Sequence, residues 1–199
     1  VDIEYAFPFG YKEVEGIHSR TDFDLKNHQT HSKKKLQYFD PEINQNYTPY
    51  VIETSLGCDR LLLMLLCQGL MTETRLDEGQ EKTRTYLKLP PALAPIKAAI
   101  LPLVKKDGLP EKAQRIFEAL RLEFPLAYEE GQSIGKRYAR QDMIGTPYCI
   151  TIDHQALEDD TITLRERDGM AQQRLSVHAL KDYLTERVAL STLLSKMTP

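Results

Sequence analysis

The sequence predicts an α/β chain, with an α+β part on an antiparallel sheet followed by an α/β part around a mixed sheet. Two observations carry this. Beyond residue 90 the apolar pattern alternates between short strand-like runs and stretches of helical spacing, the mark of helices packed on a sheet. Before it, short strand-like runs are separated by charged loops, and Pro90-Pro91-Ala-Leu-Ala-Pro95 divides the two textures. Three prolines in six residues continue neither a helix nor a central strand. The domain boundary is placed there, giving domains 1–90 and 91–199.

In the first part, Val1-Asp-Ile-Glu-Tyr5 reads as the middle of a strand, and no Met precedes it. The expectation is that the chain begins inside a larger protein. Thr21 caps a helix with Asp24 at the capping-box position, and that helix carries His28 and His31. Val51-Ile52 extend a strand, Gly57 allows a tight turn, and a helix begins near Asp59 and buries Leu61 to Leu66. The polar stretch Thr72 to Lys82, with few apolar residues, is expected to be a mobile surface excursion. In the second part, Ile96–Val104 reads as a buried strand. Pro110 opens a helix marked by Ala113, Ile116, Phe117, Leu120 and Phe124. A short strand follows at Leu126–Glu129, then a helix capped by Ser133 and stopped by Gly145 and Pro147. Strands at Tyr148–Asp153, Thr161–Arg167 and Gln172–Ser176 precede a closing helix striped by Val177, Leu180, Leu184 and Val188. The expected order is β-α-β-α-β-β-β-α.

Composition narrows the function. At 199 residues, 41% hydrophobic and 28% charged, the chain is a globular type with room for one large domain or two modest ones. A net charge of −3 with interleaved signs argues against a surface that grips nucleic acid everywhere, and leaves room for a local basic patch. Three scattered cysteines, Cys58, Cys67 and Cys149, make no disulfide framework and favour a reducing, cytoplasmic setting. No apolar run reaches membrane-spanning length, so no membrane partner is expected.

One stretch concentrates polar groups at the mouth of an apolar helix: Val51-Ile-Glu-Thr-Ser-Leu-Gly-Cys-Asp-Arg60. Arg60 falls in the first helical turn, where free N–H groups and the helix dipole already favour anions. A guanidinium there adds a planar fork suited to phosphate. On spacing alone, a plain ion pair with a nearby carboxylate stays open.

The stretch resembles motif 3 of the class II aminoacyl-tRNA synthetases, with Ser55 in place of the first glycine of Gly-x-Gly-x-Asp/Glu-Arg. Glu-x-Ser before the glycine is similar to the dimeric glycyl-tRNA synthetases. Phe7 to Ile17, Arg20-Thr-Asp-Phe-Asp-Leu25 and Tyr38-Phe-Asp-Pro41 agree in order. The Leu89-to-Val104 join, Ser133 to Tyr138 and Thr163 to Asp168 resemble that family's anticodon-binding domain.

The resemblance implies an ATP-dependent ligase that attaches glycine to tRNA-Gly through glycyl-adenylate, with Mg²⁺ accompanying ATP. It implies a glycine site at Glu53, Thr54, Ser55, Leu56 and Gly57. It implies ATP contacts at Glu13, Val14, Gly57, Cys58, Asp59 and Arg60, with Arg60 catalytic on the departing phosphates. Glu53 would supply negative charge for the ammonium and Ser55 a hydroxyl. Glu13 could help place Mg²⁺; Glu15, on the same strand face, stays undecided. Motifs 1 and 2 are not found, so this chain alone is expected to be inactive, and the full-length enzyme is expected to be a homodimer.

Other features are weighed and mostly set aside. Gly131-Gln-Ser-Ile-Gly-Lys-Arg137 is one residue short of a phosphate-binding loop and puts arginine where a hydroxyl is needed. Lys136, Arg137 and Arg140 form a basic cluster at a helix start, and Arg165 and Arg167 share one strand face. These five are the candidate tRNA contacts, against ordinary surface ion pairs. His28 and His31 lack a third ligand and read as surface residues, and Cys58 as a small packing residue. The rival reading is a non-catalytic nucleic-acid-binding protein on the same scaffold, such as a polymerase accessory subunit.

Overall fold

The structure, a computed structural model, describes residues 1–77, 79–195 and 197. It divides into two compact units, Val1–Cys67 and Gln68–Pro199.

The first unit is built on an antiparallel sheet of three strands, β1 (Asp2–Phe7), β2 (Gly10–Thr21) and β5 (Val51–Leu56), in the order β1-β2-β5. A small ribbon, β3 (Tyr38–Asp40) with β4 (Gln45–Tyr47), and helices α1 (Phe23–Ser32) and α2 (Cys58–Gly69) complete its elements, α2 running two residues past its end. Two expectations are corrected here. The N-cap of α1 is Asp22, without a side-chain cap bond, and Thr21 ends β2 at φ 53°. Asp24 is drawn instead to Arg20, four residues back, and Asp22 pairs with Lys26. Helix α2 does not bury Leu61 to Leu66: Leu62, Leu63 and Leu66 are 56%, 40% and 38% exposed. Leu61, Met64 and Leu65 are half-buried, and among the described residues of β1, β2 and β5 the buried apolar side chains are Phe7 and Val14.

The second unit opens with a hairpin, β6 (Leu70–Asp77) and β7 (Gln80–Leu87), where the sequence predicts a mobile excursion; residue 78 lies outside the described residues. The strands are held by polar cross-strand pairs that hydrophobic patterning does not register. Thr72 meets Thr85 at 3.2 Å and Thr74 meets Thr83 at 3.0 Å, while Arg84 donates to Glu73 at 2.5 Å.

Its main sheet joins β8 (Ala98–Pro102), β9 (Leu126–Tyr128), β10 (Tyr148–Ile152), β11 (Thr161–Glu166) and β12 (Gln172–Ser176) in the order β12-β11-β10-β8-β9. It is mixed: β8 runs parallel to β9 and β10, and β11 antiparallel to its neighbours. Helices are α3 (Leu109–Leu120), α4 (Ile134–Met143), α5 (His154–Asp159), α6 (Leu180–Val188) and α7 (Leu190–Ser195).

Strand β8 is buried along its length because both faces are covered. Ala98 and Ile100 join the larger core with Ile116, Ile150 and Leu184, whereas Ala99 and Leu101 face Cys149, Ile134 and Tyr138. The expected strand–helix order is present, with α5 and α7 added. Helix α5 is started by Asp153, whose carboxylate accepts from the Ala156 N–H, a cap signal visible in Asp153-His-Gln-Ala. Among the described residues no helix is long and apolar enough to cross a membrane.

Candidate active site

Strand β5 ends at Leu56 and α2 begins at Cys58, so Gly57 is the hinge between them. Its carbonyl accepts the first helical bond from Leu61 at 2.9 Å. It has no left-handed φ, and a Cβ there would meet the Arg60 Cβ at 3.8 Å, an ordinary contact. Backbone geometry therefore does not demand a glycine at this turn.

Arg60 follows in the first turn, and its Nη1 donates to the main-chain carbonyl of Glu13 at 2.5 Å. That bond ties the start of α2 to β2, 47 residues away in sequence. The plain ion pair left open by spacing does not occur: among the described residues no carboxylate lies within ion-pair distance of Arg60. An open cleft of about 470 Å³ lies beside it, lined by Glu13, Val14 and the run Ser55 to Arg60.

All six residues nominated for ATP, namely Glu13, Val14, Gly57, Cys58, Asp59 and Arg60, line this cleft. Of those nominated for glycine, Ser55, Leu56 and Gly57 line it, and Glu53 and Thr54 do not. The division follows position along β5 rather than face, since the cleft lies at the strand's C-terminal end, where Ser55 and Leu56 lead into Gly57. Cys58 is exposed at the cleft and does not pack as expected.

The Glu53 carboxylate is engaged elsewhere, 3.2 Å from the Nε of Arg20. Arg20 in turn donates to both oxygens of Asp24, at 2.8 and 3.0 Å. This bond is the leading reason that the Arg20 guanidinium lies above, and the Asp24 carboxyl below, its ordinary range. Sequence reasoning did not find Arg20 as a site residue; its signal was the i,i+4 spacing to Asp24.

In the second unit the five candidate RNA contacts separate. Lys136 is exposed, and Arg140 is partly exposed while bonded to Glu129 and Gln132. The other three are corrected, because they are interior groups whose donors serve the fold. Arg137 donates to the carbonyls of Pro102, Glu129 and Leu103. Arg165 is locked to Asp142, and Arg167 donates to Gly145, Leu89 and Asp168. With 1%, 5% and 2% exposure they have no surface to offer a base. His28 and His31 are exposed, and no group of three metal-ligating side chains occurs among the described residues.

Residues 97–187 match the family model described as an anticodon binding domain. Over 188 residues the chain is 54% identical to the glycine–tRNA ligase of Staphylococcus haemolyticus (strain JCSC1435), covering 94% of this chain and 40% of that protein. The likeness is to glycine–tRNA ligases. The ligase of that name from Clostridium tetani (strain Massachusetts / E88) is 53% identical over 188 residues, with the same coverage. The chain thus spans about two-fifths of the length of these curated ligases. Among solved structures, the RNA binding domain of threonyl-tRNA synthetase from Cryptosporidium parvum Iowa II matches with a TM-score of 0.68 at 20% identity. That match covers 94% of this chain and 42% of the other, and at such identity it speaks to fold alone.

Proposed function

We propose that this chain forms part of the ATP and glycine site, and the anticodon-binding domain, of an enzyme that attaches glycine to tRNA-Gly. The observation that carries the reading is the Arg60–Glu13 bond beside a cleft lined by the residues that the resemblance nominates. In this reading residues 1–90 are the C-terminal part of the catalytic domain and 91–199 the anticodon-binding domain. The enzyme works in the cytoplasm as a homodimer.

A glycine carboxylate oxygen attacks the α-phosphorus of ATP, the bond to the bridging oxygen breaks, and pyrophosphate leaves. A ribose hydroxyl of the tRNA's terminal adenosine then attacks the glycyl carbonyl, the anhydride bond breaks, and AMP leaves. Neither step needs a covalent bond to the protein; positioning and charge neutralisation carry them. Arg60, held by one N–H, keeps further donors for the departing phosphates. Ser55 and Glu53 face the amine.

Mg²⁺, which would neutralise phosphate charge when bound, suits what the cleft offers. Glu13 and Asp59 both line it, so the cleft itself presents two carboxylate side chains. Magnesium on a nucleotide takes one or two carboxylates and fills its remaining positions with phosphate and water.

The rival, a non-catalytic nucleic-acid-binding protein on this scaffold, is not favoured, because the curated relatives above are named as ligases. Glycine-dependent ATP–pyrophosphate exchange tests the proposal. In the full-length protein, Arg60→Ala should lower kcat by about 10²–10³-fold, and residues 1–199 alone should give no exchange. Undiminished exchange by the Arg60→Ala protein overturns the assignment.

A further inference from the structure

We infer that the first unit carries an RNA surface of its own, made of the Lys33–Lys35 run and the exposed rings of the β3–β4 ribbon, and that it holds the acceptor end of the tRNA. The inference rests on the reading of tRNA as a substrate and adds where, outside the anticodon-binding domain, that RNA is gripped.

Charge singles the run out. In the first unit Arg20 and Lys26 pair with carboxylates, and Arg60 is held at the Glu13 carbonyl. Lys12 is exposed and alone on β2. Lys33, Lys34 and Lys35 are all exposed and, among the described residues, make no ion pair. Three adjoining ammonium groups repel one another until something anionic is brought to them, and a chain of phosphates supplies one charge after another.

The run is fastened in place beside the ribbon. Lys33 ends α1 at φ 58°, its N–H donating to the Gln29 carbonyl at 3.0 Å. The Lys34 N–H donates to the Ser32 Oγ at 3.2 Å, and the Leu36 N–H to the Gln29 Oε1 at 2.8 Å. The Gln29 amide also donates to the Thr48 Oγ1 at 3.3 Å, just beyond β4, so one side chain ties the lysines to the ribbon. At the ribbon end nearest them Tyr38 and Tyr47 pair across the strands, their rings edge to face at 5.8 Å and 53% and 43% exposed. Asp40 and Glu42, the acidic residues, lie at the other end, by the turn. Ammonium groups for phosphates and open rings on which unpaired bases stack are what a single RNA strand requires. Thr21, from which the chain enters α1, is eight residues along β2 from Glu13 of the cleft, about 25 Å at strand spacing. A bound nucleotide does not span that distance, whereas an RNA end entering the cleft does.

The experiment measures binding of the full-length protein to two RNAs across a salt series, with a thermal midpoint for each variant. One RNA is a tRNA-Gly transcript; the other is a hairpin that keeps the acceptor stem and its single-stranded 3′ end and has no anticodon. Lys33→Ala, Lys34→Ala and Lys35→Ala combined should weaken binding of both RNAs about tenfold and lower the slope of log affinity against log salt by about 2–3, with the midpoint unchanged. Tyr38→Ala and Tyr47→Ala should each weaken binding about fivefold or more with the slope kept. Tyr38→Phe, which keeps the ring, should bind like the parent. An unchanged slope in the triple-lysine protein, a loss on tRNA that the hairpin does not share, or parent-like binding by both Tyr→Ala proteins overturns the inference. An unchanged slope with a lowered midpoint also overturns it, and shows that the rest of the protein covers this surface. If the parent binds both RNAs and the triple-lysine protein binds them equally well, this surface alone falls. If the parent binds neither, the reading of tRNA as substrate falls as well.

Discussion

Arg165 grips both carboxylate oxygens of Asp142, each at 2.9 Å, inside the second unit. Asp142 also accepts from Arg84 at 3.0 Å, so one carboxylate serves two cations, and Tyr138 lies under the Arg165 guanidinium at 4.7 Å. The side chains of Arg165 and Asp142 are 6% and 4% exposed, so water cannot replace a missing partner. Asp142→Ala strands the buried Arg165 guanidinium, while Arg84 keeps Glu73, and should lower stability by about 3–5 kcal/mol, read from urea denaturation.

Lys136 and Arg137 adjoin in sequence and should respond in opposite ways. Lys136 is exposed, whereas Arg137 is 1% exposed and spends its Nη donors on three carbonyls. Lys136→Ala should weaken tRNA binding by the full-length protein and reduce the slope of log affinity against log salt by about 1, with thermal stability unchanged. Arg137→Ala should lower stability. Equal salt slopes for Lys136→Ala and the parent would remove Lys136 from the interface.

Gly57→Ala separates backbone need from ligand need. The turn has an ordinary φ and space for a methyl, and helix starts tolerate the change at about 1 kcal/mol or less. The variant should fold with a nearly unchanged midpoint. Because Gly57 lines the cleft, the added methyl should weaken ATP binding in the full-length protein. Calorimetric titration with ATP checks this, and unchanged affinity would move the ligand away from Gly57.

Asp153 sets an acid limb on stability. Burial pushes its carboxyl up, but bonds from Arg174, the Ala156 N–H and Thr163 outweigh it, and the group lies below its ordinary value. A folded pKa below the unfolded one stabilises fully above the unfolded value near ~4, and the contribution is lost as pH falls through the folded value. Asp153→Asn should therefore cost about 1–2 kcal/mol at neutral pH, with the difference from the parent shrinking as pH drops below about 4. Urea midpoints across that range give the measurement.

Local signals in the chain carried much of the second part. Strands Tyr148–Ile152 and Gln172–Ser176 and the helices begun near Pro110 and Ser133 follow from apolar period and turn chemistry, which act over a few neighbouring residues. The Thr-rich hairpin 70–87 escaped that reading, because cross-strand hydroxyl pairs have no apolar period.

With the 70–87 hairpin, α5 and α7 set apart, sequence alone determined the order of strands and helices in the second part and where a polar cluster meets the start of α2. Only the tertiary structure decided that Arg165 and Arg167 lie inside, since a strand pattern cannot say which helix will cover its second face. It also decided that Arg20 reaches Glu53, 33 positions on. A side chain's charge partner depends on chain paths through space, and no local spacing encodes such a path when the partners lie on different strands.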